Sequence, residues 1–180
     1  PMIVQATVDV FSKMQIFNTD IHAAYTAVSK MGIDVFGINC NVGPDEMVAT
    51  VEKLSRFCRH PISVVPNAGQ PISEDGQTCY KLSPEDMANT MEPFVREHGV
   101  SIVGGCCGTT PAHIRALRGK LNGVVPAPRD PDKKVYVSGP QEAVPIDMSE
   151  GLLRIGERLN VRGSKLVRDA VEKEGEEISM

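Results

Sequence analysis

Apolar residues in this chain cluster in short blocks, separated by longer stretches with an apolar residue at every third or fourth position. The blocks are brief, rich in Val and Ile and bounded by turn residues, which predicts buried strands at 2–8, 33–39, 62–65 and 100–103. The intervening stretches open with N-cap residues or proline, which predicts helices beginning at Asp20, Pro44, Ser83 and Thr110. Alternating strands and helices indicate an α/β fold, with a parallel sheet and helices outside it.

The candidate chemistry lies at the carboxyl ends of two of these strands. Cys106 and Cys107 stand side by side in the stretch GGCCGTTP at 104–111. Two adjacent thiols reach one metal ion only where the backbone is unusually free, and the flanking glycines supply that freedom. Cys40 also follows a predicted strand, and in a β/α barrel all such strand ends meet on one face. Three thiolates with an open fourth position are typical of a catalytic zinc site.

On the residues alone, other interpretations of the cysteines stay open. The adjacent pair is also compatible with two buried small apolar residues or with a strained vicinal disulfide, and no Cys-x-x-Cys spacing is present. Cys58 falls on the apolar stripe of the helix that begins at Pro44 and is predicted to face the core. Cys79 falls in a predicted loop that follows Gly69, and we interpret it as an incidental thiol.

The stretch GGCCGTTP, together with GINC at 37–40 and PNAG at 66–69, resembles the zinc signature of the homocysteine S-methyltransferase family. The resemblance covers about residues 1–120 and is greatest to the homocysteine-binding module of cobalamin-dependent methionine synthases. It implies a (β/α)8 TIM-type barrel, of which this chain holds the C-terminal half, four β/α units. It also implies that the zinc ligands are Cys40, Cys106 and Cys107.

The activity implied by this resemblance is zinc-dependent methyl transfer to the thiol of homocysteine, giving methionine, in an enzyme that uses cobalamin and methyltetrahydrofolate. Metal coordination deprotonates a thiol, so no separate catalytic side chain is required. His113 is the one histidine near enough to the cysteine pair to reconsider. Asn39, Asn67 and Thr109 are predicted to contact homocysteine. Bonds to turn backbone and helix capping are the alternative roles of these side chains.

Prolines crowd the segment 121–151, which predicts a linker between domains. Downstream, the stretch GERLN at 156–160 resembles the opening strand of the pterin-binding barrel of methionine synthases, although that family more often has Thr where Leu159 stands. An ordinary strand followed by a charged helix is the alternative. The resemblance assigns Asn160 to cofactor binding and predicts three segments: half of the homocysteine barrel, a linker and the start of a pterin-binding domain, at 1–120, 121–151 and 152–180. Because the chain enters a strand directly after its first residue, we expect a fragment of a longer protein.

Composition narrows the possible partners and the compartment. A net charge of −4 offers no basic surface for nucleic acid, and no apolar run reaches the roughly 18 residues of a membrane span. Five cysteines, an odd number, fit the reducing cytoplasm better than a disulfide framework. The expected partners are homocysteine and a cobalamin-binding domain or protein.

Two other functions compete with this prediction. The first is a stand-alone betaine- or S-methylmethionine-type homocysteine methyltransferase, against which the stretch 156–160 argues. The second is a zinc-binding fragment without activity of its own, which the absence of half a barrel favours.

Overall fold

The computed structural model describes residues 1–149, 151–152 and 165–178. They fall into two units, Pro1–Ile146 and Asp147–Met180. In chain order the elements of the first unit are β1 (Ile3–Ala6), β2 (Lys13–Met14), β3 (Thr19–Asp20), α1 (Ile21–Val28), β4 (Val35–Asn39), α2 (Pro44–Phe57), β5 (Ile62–Val65), β6 (Pro71–Glu74), β7 (Gln77–Tyr80), α3 (Pro84–Arg96), β8 (Ile102–Val103), α4 (Pro111–Leu121), β9 (Val135–Ser138) and β10 (Ala143–Ile146).

A four-stranded sheet in the order β1-β4-β5-β8 forms the centre of the first unit. All its pairings are parallel, with register pairs such as Ile3↔Val35 and Val64↔Val103. This confirms the predicted α/β class and the parallel sheet, and each strand lies inside its predicted block. Because the strands are parallel, the residues that follow β4, β5 and β8 leave the sheet at the same edge.

The helices begin where the sequence predicts and bury their apolar faces. The Asp20 carboxylate accepts a hydrogen bond from the His22 backbone N–H at 2.9 Å, and the Ser83 hydroxyl accepts one from the Asp86 N–H at 3.1 Å. The largest fully buried side chains come from both the sheet and the helices, and they include Phe36, Ile38, Met47, Leu54, Met87 and Phe94.

The prediction of a loop between Gly69 and Ser83 is wrong in one respect, because most of this segment forms the antiparallel hairpin β6–β7. Its two-residue turn, Asp75–Gly76, has φ values of 50° and 78°, which suit the twist of a tight hairpin. Neither strand buries a face fully, so no alternation of apolar and polar residues marks the hairpin in the sequence.

Residues 124–134, here called the strap, pack within the first unit against the C-terminal ends of α2 and α3. The Arg129 guanidinium donates to the carbonyl oxygens of Cys58 and His60 at 2.5 and 2.7 Å. The Ala127 N–H donates to Val95 O at 2.9 Å. The hairpin β9–β10 that follows packs on α1, where the Ser138 hydroxyl donates to a helix carbonyl at 2.8 Å. That 121–151 joins two domains stays a prediction.

The described part of the second unit consists of residues 147–149 and 151–152 and the helix α5 (Lys165–Ile178). Its Leu166 and Val171 side chains are exposed. The predicted strand with the stretch 156–160, and Asn160 itself, lie outside the described residues. No helix in the described ranges combines the length and the apolar character needed to cross a bilayer.

Candidate metal centre

Cys40 lies in a left-handed turn that directly follows β4. Cys40 and Asn41 have φ values of 59° and 63°, a region that residues other than glycine seldom occupy. The Cys40 N–H donates to Val65 O at 3.0 Å, and its carbonyl accepts from the Val42 N–H at 2.8 Å. The backbone of this cysteine is therefore tied to the end of the neighbouring strand β5.

Cys106 and Cys107 lie in the loop between β8 and α4, and the same end of β5 holds this loop. The Cys106 N–H donates to Pro66 O at 2.7 Å, and Cys107 O accepts from the Ala68 N–H at 2.9 Å. The Asn67 side-chain oxygen accepts from the Cys107 N–H at 3.2 Å. The segment after β5 thus lies between the two cysteine-bearing loops and fixes both of them.

The three sulfur atoms lie within 4.8 Å of one another. Cys107 Sγ is 3.6 Å from Cys40 Sγ and 3.9 Å from Cys106 Sγ. Ligands at the usual zinc–sulfur bond length of about 2.3 Å on a tetrahedron stand about 3.8 Å apart, which these two separations bracket. The separations exceed the roughly 2 Å of a disulfide bond, and all three cysteines are free. The donor set therefore fits zinc, with Cys107 Sγ close to tetrahedral ligand spacing from both other sulfur atoms.

The protonation of the cluster reflects the closeness of its thiols. Partial desolvation tends to raise the pKa of Cys40, but hydrogen bonds from the Asn41 N–H and from the other two thiols outweigh it, so this pKa is lowered. Desolvation, and then hydrogen bonding with Cys40 and Cys107, raise the pKa of Cys106 to about 11. The protons that the cluster retains near neutral pH would leave when a metal bound.

The remaining two cysteines lie outside this cluster. Cys58 is fully buried, and its thiol donates to His60 O at 3.5 Å. Burial raises its pKa to about 11, as for a core thiol. This confirms that Cys58 faces the core. Cys79 is half-buried on β7. Within the described ranges, the three clustered cysteines form the one group suited to holding a metal ion.

The predicted substrate contacts occupy three different environments. Asn39 accepts a hydrogen bond from the Thr7 hydroxyl at 3.2 Å, and Asn67 is buried and bonded to the Cys107 backbone. Among the described buried side-chain oxygens and nitrogens, the Thr109 hydroxyl alone has no hydrogen-bond partner. It borders an open cleft of about 590 Å³, whose walls also include Cys106, Ile114 and Arg115. That these residues contact substrate stays a prediction.

His113 has a structural role at the start of α4. Its Nε2 donates to Leu82 O at 2.9 Å, so its Nδ1 is the acceptor for the Thr110 hydroxyl at 2.8 Å and the Thr110 N–H at 3.2 Å. Nδ1 is thus engaged in a capping box, with histidine in the place where glutamate is usual, and Nε2 is engaged by Leu82 O. This leaves no free ring nitrogen for the metal centre.

Tyr80, at the end of β7, is a neighbour of the centre that the sequence analysis missed. Desolvation, and then the nearby Cys107 thiol, raise the pKa of Tyr80. The ring packs against Gly108, which has a φ of 76°. A Cβ atom at position 108 would lie 2.3 Å from Tyr80 Cγ, so only glycine leaves room for the ring. The turn residues Asp75 and Gly76 were the one signal that could have found Tyr80, because they predict a hairpin that returns to the sheet edge.

Comparison with known proteins identifies the family of this chain. The profile of the family described as homocysteine S-methyltransferase matches residues 1–121. A methionine synthase of Mycobacterium tuberculosis (strain H37Rv) is 40% identical over 171 residues, which is 95% of this chain and 14% of that protein. A methionine synthase of Mycobacterium leprae (strain TN) is 39% identical over 176 residues, with 95% and 14% covered. The chain thus spans about a seventh of the length of these relatives, and it belongs to the homocysteine S-methyltransferase family.

Proposed function

We propose that this chain supplies the zinc-binding part of an enzyme that transfers a methyl group to the thiol of homocysteine, giving methionine. The observation that carries the proposal is the closeness of three sulfur atoms, with Cys107 Sγ 3.6 and 3.9 Å from the other two, at the edge where parallel strands end. Active sites of β/α barrels are built on that edge. We assign Cys40, Cys106 and Cys107 as the metal ligands.

The protein's own groups hold the ligands in place. The two cysteine loops are bonded to the segment after β5, so the thiolates need little reorganisation to bind a metal. Bound zinc would accept the homocysteine thiol at its fourth position and keep it deprotonated as the nucleophile. Because three cysteinates outweigh the charge of the metal ion, the substrate sulfur would retain much of its electron density. No histidine takes part.

The remaining substrate contacts belong to the same proposal. Asn39 ends β4 and Asn67 follows β5, so their amides would lie near the polar groups of an amino acid bound at this edge. The Thr109 hydroxyl is buried and lacks an internal partner, and a small rotation of this side chain, which lines the cleft just before α4, would present it to the substrate carboxylate. Asn67 also fixes the Cys107 backbone, so its substitution would alter the metal site as well.

We assign the methyl donor to a cobalamin-binding domain or protein, with methyltetrahydrofolate as the ultimate source. The matches to the two methionine synthases span 95% of the chain and so extend beyond the family profile, which ends at residue 121. That extension favours a methionine synthase over a stand-alone betaine- or S-methylmethionine-type enzyme. Asn160 would contact the pterin cofactor in the domain that begins at 152.

We also propose that the first unit is the C-terminal half of a (β/α)8 barrel over 1–120, followed by the linker 121–151. Four parallel strands alternate with helices, and β1 and β8 stand at the two ends of the sheet. Without the other half, the 180-residue chain would be a poor methyltransferase, so an inactive zinc-binding fragment is the second candidate. Five free cysteines support a cytoplasmic location for the enzyme.

The proposal is tested by measuring zinc per chain in four serine variants. Cys40→Ser, Cys106→Ser and Cys107→Ser should each lose most of the zinc, because two thiolates hold the ion poorly. Cys79→Ser is the matched control, since this half-buried thiol lies outside the cluster, and it should keep the zinc content of the parent chain. Equal zinc loss in the control and in Cys40→Ser would rule out the assigned ligand set.

A further inference from the structure

Tyr80 is held beside the metal centre by the register of the hairpin β6–β7. Tyr80 pairs with Pro71 at the open end of the hairpin, which starts and finishes next to the segment that follows β5. An ion pair between Lys81 and Glu74 ties this end of β7 to β6. The register places the phenol near the sheet edge, rather than at the exposed turn.

Two contacts then fix the chain immediately after Tyr80. The Leu82 N–H donates to Ala68 O at 3.2 Å, and Leu82 O accepts from His113 Nε2 at 2.9 Å. Leu82 is therefore bonded on one side to the segment that holds both cysteine loops, and on the other to α4. A side chain two residues earlier has little freedom to leave the site.

The ring of Tyr80 packs directly on the loop that carries the ligands. It lies against Gly108, the residue next to Cys107, at a distance that leaves no room for a Cβ atom. Desolvation, then the neighbouring Cys107 thiol and the charges of Cys40 and Cys106, raise the pKa of Tyr80, in keeping with this position beside the three thiols. Cys107 is the most exposed of the three thiols, so it is the one that most depends on a neighbour for its position.

We infer that Tyr80 is a positioning residue of the metal centre, whose hydroxyl donates a hydrogen bond to the Cys107 sulfur when that sulfur is a metal ligand. The inference rests on the proposed function, since it assumes that Cys107 binds a metal. A phenol O–H directed at a thiolate forms a charge-assisted hydrogen bond. Such outer contacts orient a ligand and withdraw part of its charge from the metal. The hydrogen bond would thus offset some of the excess negative charge of three cysteinates.

The test uses the full 180-residue chain loaded with Co²⁺, whose thiolate-to-cobalt charge-transfer band reports the electron density on sulfur. Tyr80→Phe keeps the ring on Gly108 and removes only the hydroxyl. Its band should move to lower energy, because an unbonded thiolate gives up an electron more readily. Tyr136→Phe is the matched control. It removes a phenol hydroxyl that bonds Asp132, away from the cluster, and should leave the band unmoved.

Each result separates this inference from the proposed function. A band that is identical in the parent chain and in Tyr80→Phe overturns the inference and leaves the metal site intact. Tyr80→Leu removes the ring as well as the hydroxyl, and so tests whether the ring alone holds the loop by packing. A band shift in Tyr80→Leu without one in Tyr80→Phe would assign the effect to packing and also overturns the inference. Absence of a charge-transfer band from the parent chain refutes the proposed metal site, and the inference falls with it.

Discussion

The buried thiol of Cys58 should make the stability of this protein fall as the pH rises above about 9. Its side chain is fully buried, and burial raises its pKa from the ordinary value of 9.0 to about 11. Between these two values the unfolded chain loses the proton while the folded chain keeps it. The stability that the protonated Cys58 thiol contributes is thus fully present below the unfolded pKa of 9.0, and it is lost as the pH rises through the folded pKa of about 11.

The size of this effect follows from the shift in pKa. Each unit corresponds to 1.36 kcal/mol, so a shift of two units is worth up to about 2.7 kcal/mol, and about half of that is lost by roughly pH 10. Cys58→Ala removes the titrating group. The free energy of unfolding of the parent chain should therefore fall by about 1.4 kcal/mol more than that of the variant between about pH 7.5 and 10.

The assay is urea unfolding of both proteins under reducing conditions at several pH values. All other cysteines and tyrosines are common to the two proteins, so their titration cancels in the difference. At neutral pH the variant should be less stable, by about 1 kcal/mol, because it leaves a small cavity. A difference between the two proteins that is independent of pH would refute the reasoning, because it would mean that Cys58 titrates alike in the folded and unfolded chains.

Two further predictions concern the strand that carries Cys40 and the metal centre itself. A Cβ atom at Gly37 would lie 2.2 Å from Ser63 O, so Gly37→Ala should push β4 away from β5. We expect this variant to lower the free energy of unfolding by about 2–3 kcal/mol in urea titrations and to reduce zinc binding. The control, Gly119→Ala, has open space around the added Cβ atom and should be neutral or stabilising. Equal effects of the two alanines would contradict this reading of the β4–β5 contact. In the complete enzyme, adding homocysteine should change the zinc-edge absorption spectrum from three sulfur ligands to four and release about one proton, and Cys107→Ala should lose both signals. Full-affinity binding of homocysteine with the spectrum still at three sulfurs would show that the zinc is structural.

The sequence was sufficient for the parts of the fold that depend on burial. Val35–Asn39 and Ile62–Val65 are short apolar runs, and parallel strands must bring the residues after them to one edge. That geometry explains why Cys40 and Cys107 were expected to meet across 67 positions of sequence. The N-cap residues Asp20 and Ser83 could also be predicted from the sequence, because their side chains form hydrogen bonds with the adjacent backbone.

The features that were missed are those whose determinants are not apolar patterns. The hairpin β6–β7 is largely exposed, so backbone pairing and the Asp75–Gly76 turn hold it, rather than a buried face. Tyr80 could be placed beside Cys107 only once the register of that hairpin was known. The proline-rich composition predicted that residues 124–134 pack as extended chain, but not which groups they contact, because those contacts are mainly hydrogen bonds to backbone carbonyls, which any donor at the right place can make.

The strap shows that the packed unit of this chain extends beyond the region that the family profile matches. The family profile ends at residue 121, but Arg129 satisfies the carbonyls of Cys58 and His60, and the Ala127 and Asp132 N–H groups satisfy those of Val95 and Arg56. A protein cut at the family boundary would expose four backbone acceptors under α2, α3 and β5, together with the surface that now encloses the Cys58 thiol. The part of the chain that packs as one unit with the cysteine cluster is therefore longer than the region matched by the family profile, and studies of the isolated unit should end it after β10 at Ile146.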